Sequence, residues 1–359
     1  MRARRWGWNL SWVLVGFLGV GGALDALVFS AATWSGPSTP HFDGARFHNA
    51  GGVETAGIGV FLSWMLDREM GEWEEIVDAV PGPPPPRAVP LGEVRVTFIN
   101  HASFLVQLPG LNVLTDPIWS ERCSPVSFLG PRRQHPPGIR FEDLPPIDVV
   151  LISHNHYDHL DEATIRALAK AHDPLFVAGL GNEPVLRESG ARRVVELDWW
   201  EAHPLGADVT LHGVPAQHFS GRGLSDRMGT LWMGFVLTGS AGPLYFAGDT
   251  GDGPHFEEIR NRFGPPRLAM LPIGAFRPRT VMKAMHMSPA EAMAVHLRLH
   301  AHRSVGMHFG TFRLADDGQD EPVKALRAAA QRAGVSQEEF WTLNFGEGRA
   351  VPARRGPTR

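Results

Sequence analysis

Three histidines and two aspartates fall within the eleven residues 151–161, LISHNHYDHLD, at the end of an apolar run. His154 and His156 are two apart, so on extended chain their rings point the same way and make half of a metal site. Asp158 and His159 follow after a turn and face a second point close by. Neutral imidazole and carboxylate are the ligands zinc takes when thiolate is absent. The single cysteine, Cys123, excludes a cysteine-built zinc site and an intramolecular disulfide. Two ions that share one water lower its pKa and make it a nucleophile at neutral pH. A lone histidine is ordinarily a core or surface residue. The full His-x-His-x-Asp-His at a strand end is far more specific.

Such a motif needs further ligands at later strand ends. VPAQHFS ends a strand at His218, LYFAGDTG at Asp249 and VGMHFGTF at His308. A carboxylate can bridge two ions, so Asp249 is expected as the shared ligand. His154, His156 and His218 then serve one ion, and Asp158, His159 and His308 the other. Two Zn2+ are expected, although the same ligand types suit iron or manganese. This uses five of the 17 histidines. Asp116, in LTDP, is expected behind the ligands, holding a histidine by its other ring nitrogen. Tyr157, inside the loop, is a candidate for substrate contact or for packing. Arg132 and Arg133 could meet a lipid phosphate or form a solvated pair. Trp199 and Trp200 are expected in the core or a pocket wall, and His101 in a structural role.

The elements that must position these residues are legible in outline. VRVTFI, SFLVQL and NVLTDP follow at hairpin spacing. IDVVLIS is a continuous apolar run of strand length, as expected for a strand buried on both faces. DEATIRALAKAH reads as a helix with Asp161 as its N-cap. Short strands follow in LFVAG, RVVELD, DVTLHGV, LWMGFVLTG, PLYFAGD, LAMLPIG and SVGMHFG, with helices in FEEIRNRF, PAEAMAVHLRLH and PVKALRAAAQRAG. This pattern implies two sheets face to face with helices outside. IGVFLSWMLDREMGEWEEIVDAV has near-helical apolar spacing and is expected to form an amphipathic helix or helix pair. PGPPPP at 81–86 ends it, since proline cannot continue a helix. The expected organisation is a leader over 1–32, an arm with its helix over 33–90, the main domain over 91–350 and a basic tail over 351–359.

The first residues, MRARRWGWNLS, are basic and precede the apolar run WVLVGFLGVGGAL. That reads as a signal peptide or a membrane anchor. Either leaves the basic end inside and places the rest of the chain on the non-cytoplasmic side, and the anchor also keeps it associated with the membrane. The net charge of −4 offers no basic field to draw in nucleic acid.

Beyond the ligands, the blocks INHASFLVQL, LTDPIWSERCSPVSFLGPRR, LPPIDVVLISHNHYDHLD, VVELDWWE, AQHFSGR, FAGDTG, FEEIRNRFGPPRLAMLPIGAF, MHMSPAEA and MHFGTF occur in order. They resemble the N-acyl-phosphatidylethanolamine-hydrolysing phospholipase D family and its bacterial relatives, within the metallo-β-lactamase superfamily. The resemblance runs from about His41 to about Arg349. It implies an α+β fold, the αββα sandwich, with two metals at one edge of its sheets. It implies a zinc-dependent phosphodiesterase in which a hydroxide bridging the zincs attacks phosphorus, giving phosphatidic acid and an N-acylethanolamine. The seven ligands carry over one by one. His286, in AMHMSPAEA, matches a family histidine near the metals and is expected to donate to the phosphate or leaving group. Asp158, Asp249 and His286 are thus the expected catalytic residues. The chain departs from the family at Thr280, Val281 and Met285, which alters the acyl and head-group pocket. Met285 is therefore a candidate substrate contact. Phe61, Trp64, Phe128 and Leu129 are candidates for facing a bilayer. The resemblance also implies a phospholipid substrate, a membrane surface as partner and a homodimer. The alternative reading is a hydrolase of another ester on the same fold, such as a lactone or sugar-phosphate lactone.

Overall fold

A computed structural model describes residues 30–353, apart from Glu75, Ala207 and Leu224. The expected signal peptide or anchor lies almost wholly outside the described residues, as does most of the basic tail. Among the described residues no helix is long and apolar enough to cross a membrane.

The chain forms strands β1 (Arg95–Asn100), β2 (Ser103–Leu108), β3 (Leu111–Thr115), β4 (Val149–Ile152), β5 (Leu175–Gly179), β6 (Arg193–Leu197), β7 (Ala202–Pro204), β8 (Thr210–Val214), β9 (Gly234–Thr238), β10 (Leu244–Phe246), β11 (Leu268–Pro272), β12 (Ser304–Met307), β13 (Phe340–Trp341) and β14 (Gly348–Ala350). They make two seven-stranded sheets, ordered β14-β1-β2-β3-β4-β5-β6 and β13-β12-β11-β10-β9-β8-β7. Both are mixed: β3 to β6 run parallel, as do β10 to β13, and the remaining pairs are antiparallel.

The period-2 geometry of a strand divides its side chains between two cores. From β4, Val149 and Leu151 enter the core between the sheets, while Val150 and Ile152 enter the outer core. β2 and β5 divide in the same way, with Val106 and Val177 inward and Leu105 and Phe176 outward. The outer core is closed by helices α2 (Glu162–Ala171) and α3 (Glu183–Glu188), through Ile165, Leu168, Val185 and Leu186. The second sheet is covered by α6 (Pro289–Arg298) and α7 (Glu321–Ala333), with α4 (His255–Phe263) beside them. Each fully buried Leu, Val or Phe contributes about 1.5–3 kcal/mol relative to exposure, so the doubly buried strands fix the sandwich. Asp161 caps α2 through Ala163 N, as its position predicts. The elements invisible in the sequence are α3, the four-residue helix α5 (Arg279–Met282), β7, β13 and β14. The three strands are only two or three residues long, too short to carry a period.

The arm corrects one expectation. Its helix, α1 (Ile58–Leu66), stops at Asp67, and the described residues of 68–80 form no second helix. Backbone bonds to the domain take the place of helical ones. Gly71 N donates to Asp316 O, Gln319 N to Glu72 O, and Val77 N to Gln134 O. Earlier in the arm, Phe42 and Phe47 are fully buried in the core between the sheets.

Candidate metal centre

Every predicted ligand sits just beyond a strand's C-terminal end. His154 follows β4, His218 follows β8, Asp249 follows β10 and His308 follows β12, so both sheets deliver donors to one edge of the sandwich. One close approach makes this possible. Gly248 has φ +60°, and a Cβ there would lie 2.6 Å from Ser153 Cβ, so only glycine lets β10 turn onto the end of β4. Three non-glycine residues at the edge also take positive φ: His101 (49°), Asp116 (32°) and His308 (63°). Such conformations cost about 1–3 kcal/mol each and gather where the fold over-determines them.

The donors form two groups. His154 Nε2 lies 2.8 Å from His156 Nδ1, and His218 Nε2 lies 3.3 Å from the same atom. Nitrogens sharing one tetrahedral zinc stand roughly 3.3 Å apart, given Zn–N bonds of about 2.0–2.1 Å. In the second group, Asp158 Oδ2 is 3.2 Å from His159 Nε2 and 3.4 Å from His308 Nε2. Asp249 Oδ2 stands between the groups, 3.1 Å from His159 Nε2, 3.0 Å from His308 Nε2 and 3.8 Å from His218 Nε2. His159 Nε2, His308 Nε2 and Asp249 Oδ1 are buried and lack a hydrogen-bond partner. The two imidazole nitrogens stand 3.1 and 3.0 Å from Asp249 Oδ2 without a hydrogen bond between them. Convergent unsatisfied donors of this type fit divalent cations.

A shell behind the donors sets their tautomers. His159 Nδ1 donates to Asp116 Oδ2 at 2.6 Å, which frees Nε2. Ser153 donates to the same carboxylate through N and Oγ, and its Oγ accepts from His154 Nδ1 at 2.9 Å. One aspartate thus orients a ligand of each group. His218 Nδ1 donates to Met285 O at 2.9 Å, and Asn49, from the arm, bonds both His218 N and His218 O. His101 Nε2 donates to Asp158 Oδ2 at 2.8 Å while its ring lies against His308.

Electrostatics divides the two groups. Burial holds His154 well below the usual imidazole range, His156 down to about 4 and His218 down to about 3. All three are neutral at pH 7, the form in which an imidazole can ligate a metal. Burial also opposes charge on His159 and His308, but nearby carboxylates outweigh it. Asp249, Asp158 and Asp116 raise His159 well above its usual value, and Asp249 with Asp158 raises His308 to about 9. Against burial, the surrounding imidazoles hold Asp158 and Asp249 ionised. This half of the site calls for positive charge, which protons supply when no divalent ion does.

His286 joins the same centre, with Nδ1 buried, unpartnered and 3.8 Å from Asp249 Oδ2. Burial keeps it neutral. Arg279 donates to His286 O at 2.9 Å and to Glu291 Oε2 at 2.7 Å, and Glu291 forms a capping box with Ser288. The following helix α6 therefore fixes this histidine.

Other candidates fall differently. Met285 meets the site through its carbonyl, while its side chain packs with Trp64, Val281 and Met282. Tyr157 is half-buried, its ring under the Arg222 guanidinium at 3.9 Å. Arg132 pairs with Glu121, and Arg133 is spent on the carbonyls of Ile118, Ser120 and His135. Trp199 lies in the core beside His41, and Arg262 covers Trp200. Phe128 and Leu129 are exposed. Sequence reasoning did not assign Ser153, Asn49 or Arg222. Ser153 directly precedes the motif and Arg222 ends the AQHFSGR block, so both carried a signal; Asn49 carried none.

Beside the centre lies an apolar lip. Trp64 anchors α1, buried and bonded through Nε1 to Asp316 Oδ2 at 2.7 Å. Other residues of that helix face outward, with Leu62 54% and Leu66 90% exposed and Val60, Phe61 and Met65 exposed as well. The cluster beneath it includes Met285 and Phe219, and the Phe219 ring lies 4.5 Å from that of His156.

Comparison with known proteins agrees with this geometry. A profile described as the beta-lactamase superfamily domain matches residues 111–309. An uncharacterized protein of Mycobacterium tuberculosis is 39% identical over 343 residues, covering 91% of this chain and 89% of that one. The N-acyl-phosphatidylethanolamine-hydrolyzing phospholipase D 1 of Caenorhabditis elegans is 36% identical over 263 residues, covering 70% and 74%. Among solved structures, an isothiocyanate hydrolase from Delia radicum gut bacteria has a similar fold. Its TM-score is 0.59 at 22% identity, over 72% of this chain and all of that one.

Proposed function

This chain belongs to the beta-lactamase superfamily of metal-dependent hydrolases, and from that premise we propose that it is a phospholipase D-type phosphodiesterase. Its substrate in this reading is N-acyl-phosphatidylethanolamine or a related phospholipid, met at a membrane surface. The observation that carries the reading is a two-group donor site sharing Asp249, placed directly beside an exposed apolar helix. Similarity to the nematode phospholipase D supports it.

His154, His156 and His218 would hold one ion, and Asp158, His159 and His308 the other, with Asp249 between them. Two divalent ions there, zinc being the natural fit, would activate a water and hold the phosphoryl oxygens. Asp116 and Ser153 keep the imidazoles in the ligating tautomer. Water adds to phosphorus and the P–O bond on the ethanolamine side breaks. Neutral His286, unpartnered at Nδ1, would accept the proton that the attacking water gives up and return it to the leaving ethanolamine oxygen. Phosphatidic acid and the N-acylethanolamine result. The outward residues of α1 would enter the lipid surface and bring acyl chains to the lip.

The test is turnover of N-acyl-phosphatidylethanolamine in mixed micelles by the parent, His154→Ala and Asp249→Ala, with metal content read on the same samples. The expected result is N-acylethanolamine from the parent, about two metals per chain, and loss of both in the variants. A parent that holds two metals yet leaves this lipid intact overturns the substrate, and lactones and other esters become the next candidates.

A further inference from the structure

Arg222 and Arg227 stand five residues apart in one loop, and the fold treats them differently. Arg222 is fully employed. Its guanidinium donates to Asn155 O, Leu160 O and Glu162 Oε1 and so holds the metal loop. Arg227 has no such set. It projects from the turn closed by Gly229 N on Asp226 O, its guanidinium over the Phe219 ring with the Cζ 3.9 Å from the ring centroid. Phe219 in turn packs against both His156 and His218, with ring centroids 4.5 and 5.0 Å away. The guanidinium is therefore one ring removed from the three-histidine group. Nη2 donates to Thr55 Oγ1 at 2.7 Å, and Thr55 leads into α1.

Among the described residues no carboxylate lies within ion-pair distance of Arg227. The adjacent Asp226 is occupied by the backbone N–H groups of Ala31, Arg222 and Gly223. Arg46 adds a second positive charge nearby. A half-buried guanidinium bears five N–H donors, and burying a charge without a counter-ion costs free energy. Its planar fork suits an oxyanion, which it can take with two parallel bonds.

We propose that Arg227 is a specificity-determining residue, its guanidinium on Phe219 taking an anionic phosphoryl oxygen of the substrate at the mouth between the metal centre and α1. This deepens the phosphodiesterase reading and rests on it for the identity of the anion. Placement over an aromatic wall orders the head group, while the neighbouring apolar helix takes the chains.

The experiment compares the parent, Arg227→Met and Arg227→Lys, all loaded with zinc. The substrates are N-acyl-phosphatidylethanolamine in mixed micelles and the neutral ester p-nitrophenyl acetate. Methionine keeps the stem on Phe219 and removes the charge. For Arg227→Met, KM for the anionic lipid is expected to rise about tenfold relative to KM for the neutral ester, as one lost charge-assisted contact implies. Its kcat should fall less than its KM rises. Arg227→Lys should recover part of the loss. Equal changes on both substrates, or none, overturn the proposal and leave Arg227 as packing. If the parent cleaves no phosphodiester, the functional reading falls separately. Calorimetric binding of inorganic phosphate then decides the anion site, with binding about tenfold weaker in Arg227→Met expected and equal binding fatal.

Discussion

At His159 the ring nitrogen that faces away from the donors matters as much as the one that faces them. Asp116 accepts from it and, through Ser153, also orients His154. Asn at this position would keep one acceptor, lose the charge and present an amide that can donate. Partners of this kind typically change metal affinity by about 10–100-fold. Asp116→Asn is therefore expected to weaken metal binding by at least tenfold while the fold persists, read by competition with a chromophoric chelator and by circular dichroism. Unchanged affinity would remove Asp116 from this role. The residue's place was legible because LTDP ends a strand. Its reach to two histidines was not, since Ser153 mediates one of them.

At the scale of elements, α1 behaves unlike every other helix described. α2 and α6 bury their apolar faces, whereas α1 buries Trp64 and leaves Leu62 and Leu66 outside. The Trp64–Asp316 bond and the packing of α1 on α5 (Arg279–Met282) tie it to the domain without covering it. Leu62→Glu with Leu66→Glu touches no donor in the metal centre. Each leucine taken out of a lipid surface forfeits roughly 1.5–3 kcal/mol. The double variant is expected to lose at least tenfold in binding to phosphatidylethanolamine vesicles in a sedimentation assay, with metal content intact. Vesicle binding equal to the parent's would show that this lip does not meet lipid.

For the whole molecule, the metal centre and the fold are linked by charge. With chelator present, His308 carries a proton up to about pH 9, against an ordinary value of 6.5. A raised folded pKa gives stability that is fully present below the unfolded value and lost as pH rises through the folded one. The metal-free protein is therefore expected to lose a few degrees of Tm, roughly, between pH 6.5 and 9. Metals replace those protons, so the loaded protein should lose less over the same range and melt higher throughout. Calorimetry at the two pH values, with and without two equivalents of zinc, reads both. A metal-free Tm that holds or rises over this range would contradict the charge balance drawn here.

The sequence by itself determined which residues could do chemistry. Ligand type and strand-end position are local properties, so His154, His156, Asp158, His159, His218, Asp249 and His308 could be named from their own neighbours. The continuous apolar run IDVVLIS likewise implied a strand buried on both faces, and the series of short strands with helices between them implied a sandwich. Tertiary structure alone decided what surrounds those residues. Asn49 and Met285 O meet His218 across 169 and 67 positions of chain, distances over which no local pattern can register. The predicted helix beyond Leu66 gave way because backbone partners on the domain, Asp316 and Gln134 among them, took its hydrogen bonds. Arg222 and Arg227 look alike in a sequence. Only the positions of Glu162 and the neighbouring carbonyls, closed around the first and absent from the second, make one a clamp and leave the other to face a substrate.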